Sequence, residues 1–205
     1  MRFCYTLHMN KKEQMKEIRD ELLSFTGSPL YAYRTENHYF PVIGEGSHDA
    51  RVIFIGEAPG ENEAKTARPF CGRSGKLLDE MLFSIGLDRE KVYITNLVKD
   101  RPEDNRDPSD EEIQLYAPFL DRQLEIIQPK IIVMLGRHSM KYLFEKSGIK
   151  EQLEPISKMH GKVFEGKLSY GKVVLLPLYH PAVGLYNPNK RPELFSDFSV
   201  IKKFV

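Results

Sequence analysis

The sequence predicts one α/β domain, a three-layer α/β/α sandwich around a central, mainly parallel four-stranded sheet. Three observations predict it: short β-branched apolar runs, amphipathic helical patterns between them, and turn or capping residues at the junctions. The runs span 51–55 (RVIFI), 92–96 (VYITN), 131–135 (IIVML) and 173–179 (VVLLPLY). Near-continuous apolarity suits strands covered on both faces, as in a parallel sheet between helical layers. Alternation of strand and helix then implies right-handed crossovers.

A helical pattern occupies residues 11–25, and residues 1–27 are expected to pack as a helical segment on a domain formed by 28–205. Residues 29–50 read as loop-rich. Beyond the first strand, Leu77, Leu78, Met81, Leu82 and Ile85 recur at helical spacing, and Gly86 stops the pattern. Ser109 and Glu112 have capping-box spacing and open a helix that reaches Gln128, ahead of Pro129. A third helix covers Ser139 to Lys146, with Gly148 after it. Residues 158–170 are expected to form a hairpin, with Gly161, Gly166 and Gly171 as turn residues, and a last helix lies near 193–204.

With 205 residues, 41% hydrophobic and 29% charged, the chain can bury one substantial core. No apolar run approaches the roughly 20 residues needed to cross a bilayer. The stretch Met1–Arg19 is broken by Asn10, Lys11, Lys12, Glu13 and Lys16 and has no apolar signal core, so a cytoplasmic protein is expected. Two cysteines, Cys4 and Cys71, cannot supply four thiolate ligands, and the six histidines fall into no metal-binding spacing. No metal and no cofactor are expected. A net charge of +1 means that any nucleic-acid binding must come from a local patch. Lys65, Arg68, Arg73 and Lys76 form one, in a stretch without acids.

Open α/β sheets bind ligands beyond the carboxyl ends of their strands. The residues there are Gly56-Glu57-Ala58-Pro59-Gly60, Asn96, Gly136-Arg137-His138 and His180-Pro181-Ala182. A carboxylate, an amide and an imidazole thus converge on one rim. A phosphate-binding loop ending in Lys65-Thr66 fails, because Pro59 and Ala64 stand where its glycines belong. Taken singly, Phe70 reads as core and Asn96 as a loop cap, whereas Glu57 and His180 favour a functional reading over a solvated carboxylate and a turn residue before Pro181. Their joint position at one sheet edge is what favours a site. His138 and His160 read as surface or locally hydrogen-bonded residues.

The motifs GEAPGENE (56–63), RPFCGRSGKLL (68–78), VYITN (92–96), RPEDNRDP (101–108) and HPA (180–182) together resemble the uracil-DNA glycosylase superfamily, family 4, over roughly residues 28–200. The resemblance implies a DNA repair enzyme that hydrolyses the N-glycosidic bond of a flipped-out uracil and leaves an abasic site. It implies catalytic roles for Glu57 and His180, with Glu63 as a supporting acid. Glu57 would orient or activate water, and His180 would donate to O2 of the departing base. Phe70 matches the stacking aromatic and Asn96 the amide that reads the pyrimidine edge. Gly56, Ala58, Pro59 and Gly60 would line the base pocket.

DNA contacts are expected from Arg68, Arg73, Lys76 and Arg191, with Leu185 as the wedge that fills the gap left by the base. The expected partner is DNA containing a damaged base, bound by a monomer without a membrane. Family 4 proteins usually carry a [4Fe–4S] cluster, but the matching positions here are Phe25, Ser28, Asp100 and Tyr116, so packing by Phe25, Tyr31 and Tyr116 is expected instead. A same-fold glycosylase for hypoxanthine, xanthine or mismatched thymine, and an inactive DNA-binding relative, remain open alternatives.

Overall fold

A computed structural model describes residues 9–205. Cys4 lies outside the described residues. The chain runs α1 (Lys11–Leu23), α2 (Leu30–Glu36), β1 (Glu45–Gly46), β2 (Val52–Gly56), α3 (Glu61–Thr66), α4 (Arg73–Ser84) and β3 (Tyr93–Asn96). It continues through α5 (Asp110–Ile127), β4 (Ile131–Leu135), α6 (Arg137–Lys146), α7 (Ile156–Met159), β5 (Phe164–Leu168), β6 (Gly171–Leu178), α8 (Ala182–Tyr186) and α9 (Arg191–Ser199). The expected capping box opens α5: the Glu112 amide donates to Ser109 Oγ, and the Ser109 amide donates to the Glu112 carboxylate. A second box, Asn10 with Glu13, opens α1.

Among the described residues the sheet has six strands in the order β1-β3-β2-β4-β6-β5, not four. The four apolar runs form its parallel centre, and β1 and β5 pair antiparallel at the two edges. Periodicity misses the edges for physical reasons. β1 is only two residues long, and β5 alternates exposed Glu165 and Lys167 with its inward residues, as edge strands do. The expected hairpin is shifted: β5 pairs with β6 through a turn at Ser169 and Tyr170, and Gly171, at φ 127°, opens β6. Residues 29–50 are less loop-like than expected, since they hold α2 and β1.

Alternation along the strands divides the core into two layers. Ile53, Ile55, Ile132, Met134 and Leu175 pack with α1, α5 and α6. Val52, Phe54, Ile94, Val133 and Leu176 face α4 and α9, where Phe54 stacks on Phe198 at 5.4 Å. The connection from β2 to β3 therefore crosses one face and that from β3 to β4 the other. Strand addition reverses between β2 and β4, which opens a crevice at their carboxyl ends. No helix among the described residues is long and apolar enough to cross a membrane.

Candidate active site

That crevice holds a cavity of about 170 Å³, lined by Glu57, Glu63, Phe70, Asn96 and His180. Ala58, Pro59 and Gly60 supply a backbone wall. Sites for drug-sized ligands begin at roughly 300 Å³, so this one suits a single planar ring. Register explains the convergence. Gly56 pairs with Asn96 across β2 and β3, Glu57 follows at once, and His180 stands two residues beyond β6.

Gly56 is required by close approach. A Cβ there would stand 2.3 Å from Asn96 Oδ1 and 2.7 Å from Phe70 Cζ. Phe70 is buried with φ at 48°, a left-handed conformation that is costly for an aromatic residue. Its ring lies 5.5 Å from that of His180 at an interplanar angle of 30°. Glu63 holds the segment after Phe70: the Cys71 and Gly72 amides donate to its Oε1 at 3.0 and 2.8 Å. One Glu63 oxygen is thus engaged in shaping the pocket.

His180 Nδ1 accepts from the Ala182 amide at 3.1 Å, which leaves the ring proton on Nε2. Burial pushes its pKa down to about 4, against the opposing pull of Glu63. The ring is a neutral donor at physiological pH. Glu57 moves the other way. Burial and then the neighbouring Asp107 push its carboxyl up to about 7, against the Arg137 guanidinium. Behind Asn96 lies Lys99, whose Nζ donates to Thr95 Oγ1, the Asn96 carbonyl and Gln123 Oε1 at 2.6–2.7 Å. Burial lowers its pKa. No motif points to Lys99, because its partners come from β3 and α5.

His138 was expected outside the site, yet its Nε2 stands 3.7 Å from Glu57 Oε2 and 3.8 Å from Asp107 Oδ2. The signal was present in the sequence, since Gly136-Arg137-His138 follows a strand. Only the sheet order makes that strand the neighbour of β2. His160 is locally bonded as expected, its Nδ1 lying 2.6 Å from Asp197 Oδ2. Glu57, Asp107 and His138 bring donor atoms within 4.8 Å of one another. The Arg137 guanidinium already occupies Asp107.

The residues at Phe25, Ser28, Asp100 and Tyr116 do not fit an iron–sulfur cluster. None is a thiol, and their polar atoms are already engaged. Arg34 donates to both Asp100 oxygens at 3.3 and 3.0 Å, and Tyr116 donates to Oδ2 at 2.5 Å. Arg34 also donates to the Leu22, Leu23 and Phe25 carbonyls. Phe25 meets Tyr116 edge-on at 5.7 Å, and Tyr31 lies under the Arg34 guanidinium at 5.0 Å. Aromatic packing was expected there; the buried ion pair at its centre was not.

The basic stretch is not free of acids in space. Lys65 pairs with Glu61, and Arg68 makes a two-pronged pair with Glu45. Arg191 pairs with Glu80. Arg73 and Lys76 stand exposed on α4 without an ion pair among the described residues. Leu185 is partly buried against the core, whereas Tyr186 beside it is 90% exposed. A Cβ at Gly184 would stand 2.7 Å from Leu194 Cδ1, so a side chain there would have to displace the buried Leu194.

Fold and cavity together define an α/β protein with a ring-sized ligand site at the carboxyl rim of its sheet. The family model described as the uracil DNA glycosylase superfamily matches residues 43–199. A type-4 uracil-DNA glycosylase from Sulfurisphaera tokodaii is 47% identical over 192 residues, covering 93% of this chain and 84% of that protein. Its counterpart from Saccharolobus solfataricus is 46% identical, over 91% of this chain and 84% of that protein. That from Archaeoglobus fulgidus is 43% identical, over 92% of each. The chain belongs to the uracil DNA glycosylase superfamily, on its type-4 branch.

Proposed function

We propose that this protein excises uracil from DNA as a monofunctional glycosylase, hydrolysing the N-glycosidic bond of a flipped-out deoxyuridine. The observation that carries the reading is the gathering of Glu57, Phe70, Asn96 and His180 around one ring-sized cavity. Phe70 stacks on the base, and the Asn96 amide accepts from N3–H and donates to O4. As the C1′–N1 bond breaks, its electron pair passes to the uracil ring, and the His180 Nε2–H donates to O2. Glu57, deprotonated, faces the positive charge on the sugar and takes a proton from the water whose oxygen bonds C1′. A neutral imidazole suits this task, because its donation strengthens as charge develops on the base.

Arg73 and Lys76 are the phosphate contacts best supported, and the paired Arg68 and Arg191 join them only where DNA outcompetes Glu45 and Glu80. Tyr186, rather than the partly packed Leu185, fills the gap in the duplex.

The test is a panel of single-lesion duplexes carrying uracil, hypoxanthine, xanthine or mismatched thymine, followed by alkali cleavage of abasic sites. Strand breaks at uracil are expected. Breaks confined to another lesion would move the substrate, and binding without any break would make the protein an inactive relative. Asn96→Asp should weaken uracil preference, because the donor to O4 is lost; unchanged excision would remove Asn96 from the pocket assignment.

A further inference from the structure

Glu57 does not meet the cavity alone. Three groups crowd its far side at the reversal between β2 and β4: Asp107 from the loop ahead of α5, and Arg137 and His138 from the first turn of α6. Arg137 links the other two, its Nη2 donating to Asp107 Oδ2 and its Nε to His138 Nε2 at 3.1 Å. With Nε2 accepting from Arg137, His138 offers Glu57 no proton from that atom, and burial with Arg137 beside it lowers the ring's pKa against the pull of Asp107. What Glu57 feels from this side is one like charge and one opposite charge. Arg106, Glu63 and His180 face it across the cavity, and Lys141 lies beyond His138.

We propose that Asp107 is a positioning residue that, balanced by Arg137, sets the pH range in which Glu57 is available as a carboxylate. The inference rests on the catalytic role given to Glu57 above. A charged carboxylate this close resists the ionisation of Glu57, whose donor atoms lie within 4.8 Å of those of Asp107. Arg137 limits the effect by neutralising part of the charge on Asp107. Asp107 and Arg137 have side chains 58% and 63% exposed, so either can be changed without opening the core.

The experiment is single-turnover excision from a uracil duplex between pH 5 and 9, with wild type, Asp107→Asn, Arg137→Met and Glu57→Gln. For wild type, activity should rise with pH through a limb near neutrality. Removing the like charge in Asp107→Asn should move that limb to lower pH, and removing the cation in Arg137→Met should move it to higher pH. Each shift should be roughly half a pH unit or more, below the 1–3 units of a fully buried partner because water screens both groups. Opposite movements in the two variants support the inference, since neither general destabilisation nor weaker DNA binding produces them. Limbs that stay in place, or move together, overturn it. Glu57→Gln separates the failures: a limb that survives this change removes Glu57 itself as the titrating group.

Discussion

At the scale of single residues, the site depends on two groups whose burial acts in opposite senses. Burial disfavours charge, so it pushes the His180 pKa down to about 4 and the Glu57 pKa up to about 7. His180 therefore contributes no activity limb near the ordinary imidazole value. His180→Ala should lower the rate of excision by about 10²–10³ with little loss of DNA affinity, measured by single-turnover kinetics and by binding to uracil DNA. It should also change the pH dependence of stability. Below the ordinary imidazole pKa the unfolded chain takes up a proton that the folded ring refuses, so wild-type stability falls as pH drops from about 6.5 towards 4. Urea unfolding at pH 7 and pH 5 should show a smaller fall in His180→Ala than in wild type.

At the scale of elements, the short helix α8 turns the chain from the pocket towards the exposed surface. His180 precedes it, Gly184 packs beneath Leu194, and Tyr186 ends it with its side chain in solvent. An exposed aromatic ring of this size stacks readily on bases, at roughly 1–3 kcal/mol per contact. Tyr186→Ala should slow excision from duplex DNA by about tenfold or more while leaving single-stranded uracil DNA nearly unaffected, because only the duplex has a stack to break and a gap to fill. Equal losses on both substrates would assign Tyr186 to general binding. Gly184→Leu, in contrast, should damage folding, and circular dichroism melting would register it as a lower Tm.

At the scale of the whole molecule, the Arg34–Asp100–Tyr116 cluster ties α2, α5 and the segment after β3 to the carbonyl end of α1. Burial pushes the Asp100 carboxyl up, and Arg34 and Tyr116 pull against that. Breaking such a pair strands a buried charge at a cost of about 3–5 kcal/mol. Asp100→Ala should therefore lower Tm on the order of 10 °C, with excision retained well below the new midpoint. Tyr116→Phe removes one hydrogen bond and keeps the packing, so it should cost much less. Purified protein should lack iron–sulfur absorbance near 400 nm, as the residues at the four cluster positions imply.

The sequence by itself determined the four central strands, the α5 cap, and the presence of Glu57, Asn96 and His180 at strand ends. These are local properties, since apolar runs and caps act within a few residues of themselves. The family motifs also lie in the chain order that brings them to one rim. Only the tertiary structure decided which strand ends are neighbours. It made His138 and Asp107 companions of Glu57, paired Arg68 with Glu45 and Arg34 with Asp100, and left Tyr186 rather than Leu185 in solvent. Each of these joins groups from separate elements, and such pairings are set by sheet order and helix packing, which no spacing along the chain records.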